Sequence, residues 1–200
     1  MIALRTTLIA ATALVFLLAG MVSIQALVDK ESASDIPVIH SHTTLIADFH
    51  DKRTLVGASH HVFTGTVMKQ IGTKQHGSLP ETQFTVQVLE NIKGTLPKVV
   101  TVNQQGGLLE TDGEVSLVLV NGDPQLIPGE SYLFATRYLA DEKWHTVIPN
   151  FGDIKIEGNV AYEKGNGGKL TLKSDLLAEF RNALANEIVP EVRNGPVLRQ

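Results

Sequence analysis

The chain predicts a mainly β protein: an antiparallel barrel or sandwich, one C-terminal helix, and an apolar segment in front. Three observations carry this. Short runs rich in β-branched and aromatic residues recur between Gly and Pro turn signals. Helical periodicity enters the body once, near Leu176. The apolar residues are also uneven: 21 of the first 28 are hydrophobic, against about 38% of the rest.

Residues 1–28 read as a signal peptide or membrane anchor. Arg5 precedes 23 uncharged residues, Thr6 to Val28, and Asp29, Lys30 and Glu31 follow. At ~1.5 Å per residue a helix of that length crosses a ~30 Å hydrocarbon core. Ala26 offers a cleavage site, imperfect because Ile24 is not small, and Met21 stands where a lipobox needs cysteine. These features predict an extracytoplasmic protein, secreted or tethered to the membrane. Residues 29–42 are polar with one proline and read as a tether. The domain is expected over 43–189 and a frayed tail over 190–200.

Within the domain, His61–Met68 has strand composition. Glu81–Glu90 alternates, with Phe84, Val86 and Val88 on one face and Thr85 and Gln87 on the other. Val99–Asn103 follows a turn at Lys93–Pro97, Val115–Val120 is an apolar run, and Ser131–Tyr138 follows the Pro128-Gly129 turn. Trp144–Ile148 follows Asp141-Glu142-Lys143, and Ile154–Glu157 with Asn159–Tyr162 suggests a hairpin around Gly158. Gly165–Gly168 reads as a turn. Ser174 suits a helix N-cap, Leu176, Leu177, Phe180 and Leu184 form a stripe, and Pro190 stops the helix.

Composition excludes several activities. With 17 basic and 21 acidic side chains the net charge is −4, which gives no basic field for nucleic acid. No cysteine is present, so disulfides, thiolate metal sites and cysteine nucleophiles are excluded. There is no G-x-S-x-G, and Gly106-Gly107 follows a strand with no helix behind it, a turn rather than a phosphate cradle.

Three groups of residues invite a functional reading. Asn103, Gln104 and Gln105 precede two glycines; they either bind a saccharide or peptide backbone through their amides or brace a loop. Tyr132, Phe134, Thr136 and Tyr138 share a face, which is barrel core if it points in and a stacking platform if it points out. His60 and His61, with His40 and His42 upstream, admit a metal reading against that of histidines flanking a strand start. The acidic run Glu110–Glu114 lacks the alternating oxygens of a calcium loop and reads as a hairpin loop.

The order V-F-x-G-x-V at Val62–Val67, F-x-V-x-V-L-E-x-x-K-G at Phe84–Gly94, V-T-V at Val100–Val102 and P-G-E-x-Y-L-F at Pro128–Phe134 resembles the OB-fold barrel of netrin-like and metalloprotease-inhibitor domains. Exported bacterial proteins on the same barrel share the pattern. The resemblance covers about 61–138 and implies an OB-like barrel with the terminal helix closing or flanking it. The animal inhibitors act through an N-terminal cysteine, which this chain lacks, so their mechanism does not carry over. The expectation is a non-catalytic binding or interaction module without a cofactor, whose partner is a cell-surface protein or a saccharide. A histidine-based metal protein or metal-dependent enzyme is the alternative, and a protease-inhibitor-like module a further one.

Overall fold

The computed structural model describes residues 36–77 and 79–191. The apolar segment 1–28, the first half of the 29–42 tether and nearly all of the 190–200 tail lie outside the described residues. Inside the expected tether, Val38–Ser41 forms strand β1. Helix α1 spans Lys52–Ala58, and the strands that follow are β2 (His61–His76), β3 (Leu79–Lys93), β4 (Val99–Gln105), β5 (Gly107–Thr111), β6 (Glu114–Val120), β7 (Ser131–Leu139) and β8 (Trp144–Val147). They are succeeded by β9 (Asp153–Glu157), β10 (Val160–Glu163), a 3₁₀ turn at Lys164–Asn166, β11 (Lys169–Leu172) and α2 (Lys173–Ala185).

The larger sheet runs β11-β10-β9-β7-β2-β3-β4-β8, and β8 also pairs with β7, so the ladder β7–β2–β3–β4–β8 returns on itself. The β4–β8 pairing is parallel and short, Val102 opposite His145 and Asn103 opposite Thr146. All five of these strands contribute to one apolar cluster: Phe63 and Val67, Phe84 and Val86, Val100 and Val102, Tyr132 and Phe134, and Val147. Residues two apart on a strand share a face, so this cluster is the interior of the ring. The curl has visible causes. The β2–β3 register shifts four times, and bulges bend a strand and increase its twist. At Gly65 a Cβ would stand 2.7 Å from Val86 Cγ1 and 2.8 Å from the Gln87 carbonyl, so only glycine admits that approach.

A second core lies on the other face of β2 and β7. Val62, Leu133, Ala135, Ile154, Ile156 and Ala161 pack there against Leu55 and Val56 of α1 and Leu176, Leu177, Phe180 and Ala183 of α2. Strand β7 is therefore covered on both sides, with Tyr132 and Phe134 toward the ring and Leu133 and Ala135 toward the helices. The terminal helix flanks the sheet, with Leu176, Leu177 and Phe180 of the expected stripe buried. Its start differs from the Ser174 cap: the strand β11 runs directly into it, Leu172 holds the cap position, and the Lys173 amide donates to the Asn159 carbonyl at 2.9 Å.

The small sheet β1-β6-β5 pairs β6 in parallel with β1 and antiparallel with β5. The acidic run Glu110–Glu114 is the β5–β6 hairpin, with Asp112 and Gly113 both at positive φ, as the tight primed turns require. Gly106 and Gly107 mark the place where the chain leaves one sheet for the other. Gly107 has φ +132°, and a Cβ there would meet Thr82 Oγ1 at 2.1 Å.

Candidate functional site: a histidine–tyrosine groove at the rim

Strand alternation brings three aromatic side chains to one end of the ring. His61 opens β2 two residues before the interior Phe63, Tyr138 continues the face of Tyr132 and Phe134, and His145 precedes the interior Val147 by two. The β7–β8 hairpin places Tyr138 directly opposite His145. Their ring centroids are 4.9 Å apart. The His61 and His145 rings meet edge to face, also at 4.9 Å.

These rings border a groove of about 460 Å³ whose walls include Thr85, Thr95, Thr101, Leu96, Val99 and Lys143. Among the described residues no carboxylate lines it. Both imidazoles are held neutral. Burial, together with the neighbouring His61 and His60, pushes His145 down to about 4. Burial and the charge of Lys93 lower His61 as well. Among the described residues, Nδ1 of His61 and Nδ1 of His145 are buried without a hydrogen-bond partner. The Tyr138 ring is the accessible member, 39% exposed.

The residues singled out by sequence are distributed as follows. Asn103, Gln104 and Gln105 are all buried. Asn103 Oδ1 accepts from Gln83 Nε2 at 2.8 Å, and its amide donates to Glu81 and Thr146. Gln104 Nε2 donates to the Pro124 carbonyl at 2.9 Å, and its Oε1 accepts from the Leu126 amide at 2.8 Å. Asn103 and Gln104 brace the structure through these bonds, because β4 extends through Gln105 and holds them inside the sheet. Tyr132 is buried in the ring interior, its hydroxyl accepting from the Ile127 amide at 3.2 Å. It shares a face with Tyr138 but does not reach the rim. His61 faces the groove, whereas Nδ1 of the adjacent His60 accepts from the Tyr138 amide at 3.0 Å. Among the described residues no group of three His, Cys, Asp or Glu side chains converges on a metal position.

Two features went unmarked in the sequence. His145 was one, although a turn at Asp141–Lys143 implies its pairing with Tyr138. The other is a buried ionic cluster that shares no residue with the groove. Lys164 Nζ lies between Asp123 Oδ1 and Asp153 Oδ2, the latter at 2.6 Å, and both carboxyl groups are almost wholly buried. Burial pushes Asp153 up to about 7, with the Asp123 charge adding to it and Lys164 opposing. Burial alone would depress Lys164, but the charges of Asp153 and Asp123 more than offset it and its pKa is raised. Next to it Lys52 and Glu163 form a separate buried pair at 2.5 Å.

No family model matches the chain, and no curated protein sequence matches it.

Proposed function

We propose that this chain is an extracytoplasmic, non-catalytic binding module on an OB-like barrel, and that its ligand sits in the rim groove. The observation that carries the reading is the groove itself: Tyr138 exposed over two neutral imidazoles, with threonine hydroxyls and apolar side chains around them. About 460 Å³ is within the range of small-ligand sites. Neutral imidazoles both donate and accept hydrogen bonds, and an exposed aromatic face receives an apolar face of a sugar or a peptide side chain. Lys143 and the lack of lining carboxylates favour neutral or anionic ligands. A general acid–base pair is not what these groups resemble, because no carboxylate among the described residues orients either imidazole.

The five-strand ring with one parallel closing pair, and the chain's excursion through β5 and β6 before β7, support the OB-like assignment. The apolar stretch Thr6–Val28 supports the extracytoplasmic location. Among the described residues no helix is long and apolar enough to cross a membrane.

Trp144, the only tryptophan, precedes His145 and makes a built-in probe. Neutral and anionic oligosaccharides and short peptides are titrated while its fluorescence and the thermal midpoint are followed. A saturable response in the native chain that Tyr138→Ala abolishes supports the reading. A panel without response, or one to which Tyr138→Ala responds equally, contradicts it.

A further inference from the structure

The Asp123–Lys164–Asp153 cluster has a chemistry that the groove does not use. Lys164 Nζ is in hydrogen-bonding contact with a carboxyl oxygen of each aspartate, Oδ1 of Asp123 and Oδ2 of Asp153, which holds the amine beside the Asp123 carboxyl group. The side chains of Asp123 and Asp153 are 3% and 1% exposed, and that of Lys164 is 18% exposed. Asp123 is held from behind: its Oδ2 accepts the Asn150 amide at 3.0 Å, leaving Oδ1 toward the lysine. Asp153 is the under-satisfied member. Its Oδ1 is buried without a hydrogen-bond partner among the described residues, and its Oδ2 accepts from Lys164 and, at 3.5 Å, from Gln104.

Two carboxylates and one ammonium in a nearly dry site leave one negative charge uncompensated, an arrangement that burial penalises. Converting the Lys164–Asp123 pair into an amide removes two of the three charges from the site. We infer that Lys164 and Asp123 are the partners of a self-formed intramolecular amide cross-link, with Asp153 as the proton-transferring acid.

The step balances without an oxidant or a co-reactant. A proton moves from Lys164 Nζ to the Asp153 carboxylate, which leaves a neutral amine. The amine lone pair attacks Asp123 Cγ and the C–N bond forms. Asp153 then gives a proton to the departing Asp123 oxygen, the C–O bond breaks, and a second proton from the nitrogen completes the water that leaves. An ion pair becomes an amide plus one water, and Asp153 returns to its starting state. Burial favours this direction because the amide carries no charge, whereas the ion pair it replaces does. The neighbouring Lys52–Glu163 pair is the internal contrast: its carboxylate is already bound by Asn166 and Thr171 and has no second acid beside it. The bond would join residues 41 apart in a chain that has no cysteine to do so.

The inference is independent of the groove. Its test is peptide mapping of the purified full chain after denaturation and trypsin digestion. The expected product joins Ile156–Lys169, uncut at Lys164, to Val99–Arg137, lighter by one water than the two peptides together. Lys164→Arg and Asp123→Ala should lack it. Asp123→Asn should form the same product by losing ammonia instead. Asp153→Asn, checked for native fold by circular dichroism, should lose it while keeping both partners. Native chain that is cut at Lys164 and yields only linear peptides overturns the cross-link, and a product undiminished in Asp153→Asn overturns the role of Asp153.

Discussion

Acidification should expose the state of His145. In the folded chain burial and the nearby His61 and His60 push it down to about 4, whereas an unfolded histidine titrates near 6.5. The depressed value means that the unfolded chain binds the extra proton first. Stability from this group is therefore fully present above pH 6.5 and is lost as pH falls toward 4. The shift corresponds to a ceiling of about 3 kcal/mol, at ~1.4 kcal/mol per pK unit. One edge of the ring faces the groove and its water, so screening brings the expected loss to about 1.5 kcal/mol. His145→Gln removes the titration and keeps a polar side chain at the rim. Urea denaturation of both proteins at pH 7.5, 6.0, 5.0 and 4.5 measures the difference. The native chain should lose about 1.5 kcal/mol more than the variant across that range. If the gap between the two is the same at every pH, or if His145 titrates near 6.5 by NMR, the claim that the rim holds a buried neutral imidazole fails.

Four other substitutions, one of them a control, test the packing and the ion pairs. Gly107→Ala places a Cβ 2.1 Å from Thr82 Oγ1 at φ +132°; it should cost about 2–4 kcal/mol in chemical denaturation, and a change under about 0.5 kcal/mol would refute the need for glycine there. Lys52→Met leaves Glu163 buried without its ammonium partner at 2.5 Å, and a loss of about 3 kcal/mol is expected by the same method. The exposed pair Arg181–Glu90 is the control: Arg181→Ala should change stability by less than about 1 kcal/mol. Phe134→Ala empties a fully buried site in the ring interior; a loss of about 3–5 kcal/mol is expected, with the thermal midpoint as the readout.

What could be read in the sequence was what local pattern encodes. The alternation of Phe84, Val86 and Val88 gives β3 its inward face, and the Pro128-Gly129 turn marks the start of β7. The ends of the β2–β3 hairpin were invisible because Lys69–Gln75 is solvent-facing in nearly every residue, so no apolar period marks it as strand. Strand β1 was hidden for a related reason: Val38, Ile39 and His40 are exposed, and the strand exists only because β6 pairs with it in parallel. Helix α1 is seven residues long, too short to show a period, and is held by Leu55 and Val56 in the second core.

The polar residues were harder still. Asn103, Gln104 and Gln105 look like a surface because amides usually are one, but all three are buried, and the partners of Asn103 and Gln104, namely Gln83, Pro124 and Leu126, lie 20 or more residues away. Asp123, Asp153 and Lys164 sit in three separate turn or strand-end segments, each ordinary by itself. Only the fold puts one lysine between two buried carboxyls. The Tyr138–His145 pair was within reach, since counting back across the Asp141–Lys143 turn sets the two side by side; what the count does not give is the approach of His61 from β2.

The rim groove is the centre of this account, and imidazole NMR addresses it most directly. With the histidines labelled, the ring signals of His61 and His145 are followed while a ligand that quenches or shifts Trp144 is added. Saturable shifts at His61 and His145, with the exposed His40 and His42 unmoved and Tyr138→Ala abolishing the effect, are the predicted result. A ligand that binds with unchanged affinity while both rim signals stay still would contradict it.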